Sequence, residues 1–135
     1  MPVRSYGVGW ATTDTPGELV GIHGEANSGG AGEYTTCDRG ASGYQVPVGK
    51  TFYITSVIFS GDAAGARFFI GYGDNDVGVS QPAPTNPVPI TAELQCGAGD
   101  TTYQVMLWAS VPAGKYPFIR CQTSVVKAHI VGIEV

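Results

Sequence analysis

The stretch VPVGKTFYI at residues 46–54 contains Gly-Lys-Thr, the triplet that ends many phosphate-binding loops. Such a loop also requires a second glycine five positions before Gly49, so that backbone N–H groups can surround the phosphates. That position holds Tyr44, and Pro47 removes a further backbone donor. The residues that follow, TFYITSVIF, are β-branched and aromatic, which indicates a strand rather than the required helix. The spacing therefore argues against a nucleotide site.

The same pattern returns at residues 111–119, which read VPAGKYPFI. In both copies valine, proline, a small or branched residue and glycine are followed by lysine. Proline presets φ at the second position of a type I turn, and glycine suits the fourth position. The repeat therefore predicts one strand–turn–strand corner that is used twice, with Lys50 and Lys115 pointing to solvent.

The two histidines, His23 and His129, are the residues best suited to act as bases or metal ligands. Along the final stretch HIVGIEV, His129 alternates with apolar residues, so it is expected on their side and is interpreted as a core histidine. His23 and Glu25 are two residues apart and would share one face of a strand. One histidine and one carboxylate do not define a metal site, so no metal is predicted.

The stretch GDNDVG at residues 73–78 resembles the start of a calcium loop, with Asp74 and Asp76 two residues apart. The twelfth position of such a loop would need glutamate and instead holds Thr85, and both flanks read as strands. A polar turn is therefore predicted. No GxSxG motif is present, and no catalytic residue or cofactor is predicted. Paired carboxylates of the glycosidase type stay open, because their pairing depends on the fold.

Composition places the chain among single-domain all-β proteins. A chain of 135 residues can bury roughly two-thirds of its unfolded surface in one domain. Its 20 glycines and 9 prolines interrupt the sequence at short intervals, and no segment has a convincing helical period. This pattern is typical of a sandwich or barrel with many turns.

The charge and the cysteines restrict the partners and the compartment. The net charge is −4 and the seven basic residues are scattered, which argues against binding to nucleic acid or to an anionic membrane. The opening MPVRSYGVGW lacks the apolar core of a signal peptide, so the chain is expected in the cytosol that makes it. The three cysteines, Cys37, Cys96 and Cys121, lack metal-ligand spacing, and cytosolic thiols normally stay reduced, although a disulfide between two of them stays open. Cys121 lies in the alternating stretch FIRCQTSVV and is predicted to be buried.

The chain divides by composition into residues 1–45 and 46–135, within a single domain overall. The first segment holds ten of the 20 glycines and few apolar residues. It is therefore either a loose tail or an arm with short strands that becomes ordered on a neighbouring subunit. The second segment reads as closely spaced strands and forms the sandwich core. Together they predict a jelly-roll-like two-sheet sandwich of about eight strands.

Two connections and one tryptophan complete the predicted organisation. GDAAG at residues 61–65 fits a short hairpin loop, and the proline-rich stretch 74–89 fits an exposed surface connection. Exposed aromatic side chains could stack on sugar rings, but Trp108 within YQVMLWASV is interpreted as a core residue.

These features together resemble the small jelly-roll decoration (cement) proteins of tailed bacteriophage capsids. The resemblance rests on the glycine-rich stretch 1–45, the paired corners VPVGKTFYITSVIF and VPAGKYPFI, and the terminal strand HIVGIEV. It implies a non-enzymatic protein that is made in the host cytoplasm and sits on the outer capsid surface of the virion. It also implies a homodimer or homotrimer that bridges neighbouring major capsid proteins.

In the N-terminal segment, Arg4, Tyr6 and Trp10 are the predicted partner-binding residues, with Trp10 as the main anchor because buried tryptophans often dominate interfaces. The alternative function is a carbohydrate- or receptor-binding module of the tail spike or fibre type, which uses the same architecture. An exposed aromatic row beside Asp74, Asn75 and Asp76 would favour that alternative. An apolar or backbone-rich edge would favour the decoration protein.

Substitution of Lys50 separates the turn from the phosphate site. Lys50→Ala should change the free energy of unfolding by no more than about 0.5 kcal/mol, because an exposed lysine contributes little to stability. Chemical denaturation measures this change, and Gly49→Ala is the comparison that alters the turn itself. ATP or GTP binding that disappears in Lys50→Ala would contradict the turn assignment.

Overall fold

The structure, a computed structural model, describes residues 17–26, 32–123 and 125–135. These residues contain eleven β-strands and no helix. The strands form two antiparallel sheets, of six and five strands, in a two-sheet β-sandwich, which confirms the predicted all-β sandwich. In chain order the strands are β1 (Glu18–Ala26), β2 (Glu33–Thr36), β3 (Asp38–Arg39), β4 (Ser42–Gly43), β5 (Phe52–Gly61), β6 (Arg67–Gly73), β7 (Val88–Pro89), β8 (Leu94–Gln95), β9 (Tyr103–Val111), β10 (Tyr116–Thr123) and β11 (Val126–Glu134).

The six-stranded sheet has the order β4-β3-β1-β11-β5-β9. Its long strand β11 pairs along its whole length with β1 on one side and with β5 on the other. The register places Ile130 opposite both Ile22 and Val57, and all three side chains are fully buried. Residues 18–26, which sequence analysis groups with the N-terminal segment, thus supply a full-length strand inside this sheet.

The five-stranded sheet has the order β2-β10-β6-β7, and β8 also pairs with β6. Within it, Ile119 of β10 lies opposite Thr35 on one side and Ile70 on the other. The two short strands β7 and β8 lie along the outer edge of β6. The sheet therefore ends on one side in two very short strands.

The core lies between the inner faces of the two sheets. Phe59 of β5 and Phe68 of β6 meet edge to face across it, with ring centroids 5.2 Å apart. All three cysteines are buried and free: Cys37, Cys96 and Cys121. Burial raises the pKa of the Cys37 and Cys96 thiols, which keeps both protonated inside the core.

Several connections cross from one sheet to the other, among them those that follow β5 and β9. The short loop after β5 leads from the six-stranded sheet into β6 of the five-stranded sheet, and the turn after β9 leads into β10. The prediction that GDAAG forms a hairpin is therefore wrong, because β5 and β6 belong to different sheets. A loop of this length fits both kinds of connection, so its length does not distinguish them. At this crossing a Cβ on Gly61 would lie 2.6 Å from the Cβ of Ala66, so the close approach requires a glycine.

The repeated corners are tight turns, as predicted, but each turn begins one residue later than predicted, at the proline instead of the valine. The Lys50 N–H donates to the Pro47 carbonyl at 3.1 Å, and Gly49 has a φ of 78°. The second turn repeats this geometry, with Gly114 at a φ of 80°. Proline is therefore the first residue of each turn and glycine the third, where a type II turn requires a positive φ.

The two corners also contact each other. The Gly114 N–H donates to the Val46 carbonyl at 2.8 Å, and the Val46 N–H donates to the Lys115 carbonyl at 3.0 Å. Lys50 is exposed, as predicted. Lys115 is half-buried and forms an ion pair with Asp74, so the prediction that it points freely to solvent is wrong.

The proline-rich connection after β6 follows the five-stranded sheet from one edge to the other. Tyr34 of β2 exchanges two backbone hydrogen bonds of 2.8 Å with Gln81, and Val88–Pro89 then pairs with β6. Most of this connection is exposed, as predicted, although Pro84 is buried. Phe118, on the face of β10 that points away from the core, is nearly inaccessible and packs against the Tyr34 ring at 4.9 Å.

A buried polar pair lies at the end of β11. The Tyr44 hydroxyl donates to Oε2 of Glu134 at 2.6 Å, and both residues are buried. Nη1 of Arg39 lies 3.9 Å from the same oxygen. Burial, together with the hydrogen bond to Glu134, raises the pKa of Tyr44. The hydroxyl therefore supplies the hydrogen bond that a buried carboxylate needs.

Removal of the Tyr44 hydroxyl should destabilise the sandwich. We expect Tyr44→Phe to lower the free energy of unfolding at neutral pH by about 1–3 kcal/mol, because the buried Glu134 carboxylate loses its hydroxyl donor. Chemical denaturation measures this change. Tyr53→Phe, on the partly exposed Tyr53 of β5, is the matched control and should change the value by about 0.5 kcal/mol or less.

The same pair predicts a pH dependence. Because the folded-state pKa of Tyr44 is raised, its contribution is complete below the unfolded pKa of about 10 and is lost as the pH rises above that value. The stability difference between the wild type and Tyr44→Phe should therefore shrink above about pH 10. A difference that stays constant through this range would contradict the proposed hydrogen bond.

Candidate functional site

Three residues predicted to bind a partner, Arg4, Tyr6 and Trp10, lie outside the described residues. Their assignment stays a prediction. The structure places the other candidate groups in three separate regions: a histidine pair on the six-stranded sheet, the acidic loop after β6, and the edge strand β9.

His23 and His129 lie directly opposite each other on β1 and β11. Their ring centroids are 6.5 Å apart, and Nε2 of His23 lies 3.7 Å from the Glu25 carboxylate. His129 is exposed, so its interpretation as a core histidine is wrong. Alternation shows which residues share a face, but both faces of β11 carry apolar residues, so alternation alone does not identify the inner face. The buried face is that of Ala128 and Ile130.

In the acidic loop that resembles a calcium site, the carboxylates are bound by other groups of the same chain. Asp74 accepts hydrogen bonds from Lys115 at 2.5 Å and from Asn86 at 2.8 Å, and these bonds lower the pKa of Asp74. Asp76 accepts a hydrogen bond from the Gly78 N–H at 2.9 Å. This geometry agrees with the predicted polar turn.

The outer face of β9 carries large exposed apolar side chains. Met106 is 75% exposed and Trp108 is 73% exposed, so the interpretation of Trp108 as a core residue is wrong. Trp108 also lines a shallow depression of about 230 Å³ together with Tyr53, Ala109 and Ser110. Sequence reasoning missed this face because apolar residues occupy both sets of alternate positions in YQVMLWASV.

The inner face of β9 is also incompletely covered. Val105 and Leu107 are half-buried and pack against the core. Beside them lies a cavity of about 310 Å³, which separates β9 from the segment before β8. Its lining residues are Ile90, Thr91, Ala92, Leu94, Val105, Leu107 and Trp108. The gap between the two sheets at this side is therefore apolar and open to a neighbour.

β9 is the last strand of its sheet. It pairs with β5 on one side, and no described strand pairs with its other side. Its nine residues include no charged residue, proline or glycine, which are the residues that commonly prevent pairing at a sheet edge. The edge can therefore accept an added strand through main-chain hydrogen bonds, with apolar contacts on both faces.

No protein-family model and no curated protein matches this chain. Among residues 17–26, 32–123 and 125–135, no three His, Cys, Asp or Glu side chains are grouped so that they could hold a metal ion. The same ranges contain no helix that could cross a membrane. The unpaired apolar edge of β9 is thus the feature of the described surface that most needs a functional explanation.

Substitution of Trp108 tests whether its side chain is exposed in the free chain. We expect Trp108→Ala to change the free energy of unfolding by about 0.5 kcal/mol or less in dilute, monomeric protein, because an exposed side chain contributes little. Phe68→Ala, which removes a fully buried ring, is the matched control and should cost about 3–5 kcal/mol. Equal losses in the two variants, measured by denaturation, would place Trp108 in the core.

Proposed function

We propose that this chain is a non-enzymatic structural protein that decorates a bacteriophage capsid and stabilises it by bridging neighbouring major capsid proteins. The observation that carries this proposal is the uncharged apolar edge of β9. Interface cores are enriched in tryptophan and methionine and depleted in charged residues, as this edge is. Met106 and Trp108 therefore favour contact with another protein over contact with water.

The charge distribution also supports a protein partner. Arg39 pairs with Glu18 at 2.9 Å, and Arg67 pairs with Glu93 at 3.0 Å. These cations are held by carboxylates of the same chain, whose net charge is −4. A nucleic-acid partner would instead favour clustered cations that are available to phosphates.

The proposed mechanism is stabilisation by binding. A protein that binds the assembled shell but not the separated shell proteins shifts the equilibrium against disassembly. The sandwich would sit on the outer capsid surface after synthesis in the host cytoplasm. Its rigid sheets would hold two neighbouring capsid proteins at a fixed separation.

Attachment to the shell is assigned to residues 1–16, with Arg4, Tyr6 and Trp10 as the partner-binding residues. This segment precedes the sandwich, because the strands of both sheets begin at Glu18 or later. A segment that becomes ordered on contact can cover a large partner surface, although its ordering lowers the net affinity. A homodimer or homotrimer would present several such segments to the shell.

A carbohydrate- or receptor-binding module is the second candidate function. The depression beside Tyr53 and Trp108 favours it, because sugar rings stack on exposed aromatic side chains. The polar groups expected beside such a site are engaged within the chain, since Asp74 binds Lys115 and Asp76 binds the Gly78 N–H. Titration of Trp108 fluorescence with glycans, compared between Trp10→Phe and Trp10→Phe/Tyr53→Ala, tests this candidate.

Binding to shells that lack the protein tests the decoration function. The full chain should bind purified capsids with a fixed stoichiometry, and deletion of residues 1–16 should weaken that binding at least about tenfold. The deleted protein should still give a cooperative thermal melt, because the strands of both sheets begin at Glu18 or later.

Trp10→Ala in the full chain is the finer test of the same segment, and Lys50→Ala is its control at an exposed turn. Attachment unchanged by the deletion would overturn the role of residues 1–16. A chain that binds neither capsids nor intact virions would overturn the decoration function.

A further inference from the structure

We propose that β9 pairs antiparallel with β9 of a second copy, which joins the two six-stranded sheets into one continuous sheet across a homodimer. The choice of this edge as a protein contact rests on the proposed function. The choice of a second copy as the partner rests on three further observations. These are the protection of the other sheet edges, the self-complementary sequence of β9, and the open cavity beside it.

The other described sheet edges are each short, charged, paired or interrupted by proline. The opposite end of the same sheet consists of two-residue strands that include Asp38 and Arg39. In the five-stranded sheet, the free side of β2 is bridged by Gln81, and the outer side of β6 carries two-residue strands that include Pro89. These features prevent edge-to-edge association. The nine residues of β9 have no charge and no proline, and no described strand covers their free side. This is expected of an edge that is paired in the assembled protein.

The sequence of β9 is complementary to itself. Antiparallel pairing centred on Leu107 includes all nine residues and places Met106 opposite Trp108 of the second copy. In the same register, the polar residues Gln104 and Ser110 face each other. Two inner pairs join apolar residues of different size, Val105 with Ala109 and Tyr103 with Val111, and Leu107 lies opposite itself. No like charges meet, because the strand carries no charge.

The pairing would cover apolar side chains of β9 that are exposed to solvent in the single chain. On the outer face, Met106 would lie against the Trp108 ring of the second copy, a favourable contact between sulfur and an aromatic ring. On the inner face, the second Leu107 would approach the cavity beside Val105 and Leu94. The register of β9 with β5 shifts where Leu107 and Trp108 of β9 both lie opposite Thr55, so the extra residue belongs to β9. Burial nevertheless alternates along all of β9, so this bulge does not change which side chains face outward.

Self-pairing closes at two copies. A two-fold axis through Leu107 makes the contact isologous, so each β9 edge is used once and no further strand is left to extend the sheet. The dimer would carry two N-terminal segments. If each binds the shell, the second attachment occurs within one complex and raises the overall affinity without any new contact. Bridging between neighbouring capsid proteins follows from this arrangement.

The oligomeric state of the full chain in solution tests the pairing without any shell. Size-exclusion chromatography with light scattering should give a dimer for the wild type over a range of concentrations. Trp108→Glu should weaken dimerisation at least about tenfold, since it removes a central aromatic contact. Leu19→Glu is the matched control and should stay dimeric. Leu19 is also exposed and apolar, but its strand β1 is separated from β9 by β11 and β5. At concentrations low enough to dissociate the wild-type dimer, both variants should melt at the same temperature as the wild type, because the exposed positions contribute little to the fold of a single chain.

A mixed cysteine experiment tests the register. Met106→Cys and Trp108→Cys chains, mixed and oxidised, should form a disulfide-linked heterodimer, because these positions lie opposite each other in the proposed pairing. Either variant alone should crosslink much less. The native cysteines are buried in the core and should not interfere.

Three results would overturn the pairing: a wild-type monomer at all concentrations, a trimer, or a dimer that persists in Trp108→Glu without the mixed crosslink. A wild-type monomer whose β9 amides resist hydrogen exchange would instead assign the edge to residues 1–16 of the same chain.

A monomer that still binds capsids would overturn the pairing alone. A dimer that binds no capsid would overturn the decoration function alone.

Discussion

The position of β11 between β1 and β5 is the constraint on which the rest of the structure depends. Its inward residues, such as Ile130, form the middle of the core. The end of β11 is bonded to residues on both sides of the first repeated corner. Val135 exchanges two backbone hydrogen bonds with Thr51, and Glu134 accepts the buried bond from Tyr44. Because β11 and the short strands beyond β1 occupy one side of the sheet, β9 must pair on the free side of β5 and become the edge.

Local sequence patterns predict the strands and turns but not which face or sheet each belongs to. The alternation in HIVGIEV and YQVMLWASV and the Pro-x-Gly corners are visible in the sequence, because they reflect local backbone preferences. The inner face of β11 depends on pairing with β1, which lies far away in the sequence. His129 is misplaced for this reason, and Trp108 is misplaced because apolar residues occupy both sets of alternate positions in its strand. GDAAG is misassigned for a related reason, since its length permits either a hairpin or a crossing between sheets.

The candidate site has the same dependence on topology. That β9 lacks charge, proline and glycine can be read from the sequence, but the absence matters only for a strand at an edge. An interior strand with the same residues would be an ordinary buried strand. The predicted roles of Arg4, Tyr6 and Trp10 rest on composition alone, and they stay predictions because these residues lie outside the described structure.

The two outer faces of the sandwich differ in a way that orients the proposed assembly. On the five-stranded sheet, the connection after β6 runs between both edges, and Phe118 is only 1% exposed on that side. On the six-stranded sheet, Leu19, Met106 and Trp108 are exposed, and no described segment covers them. A chain that stabilises one outer face with its own connection and leaves large apolar side chains exposed on the other is suited to meet partners through the second face. The six-stranded sheet is therefore the face on which contacts with other proteins are expected, with β9 as its pairing edge.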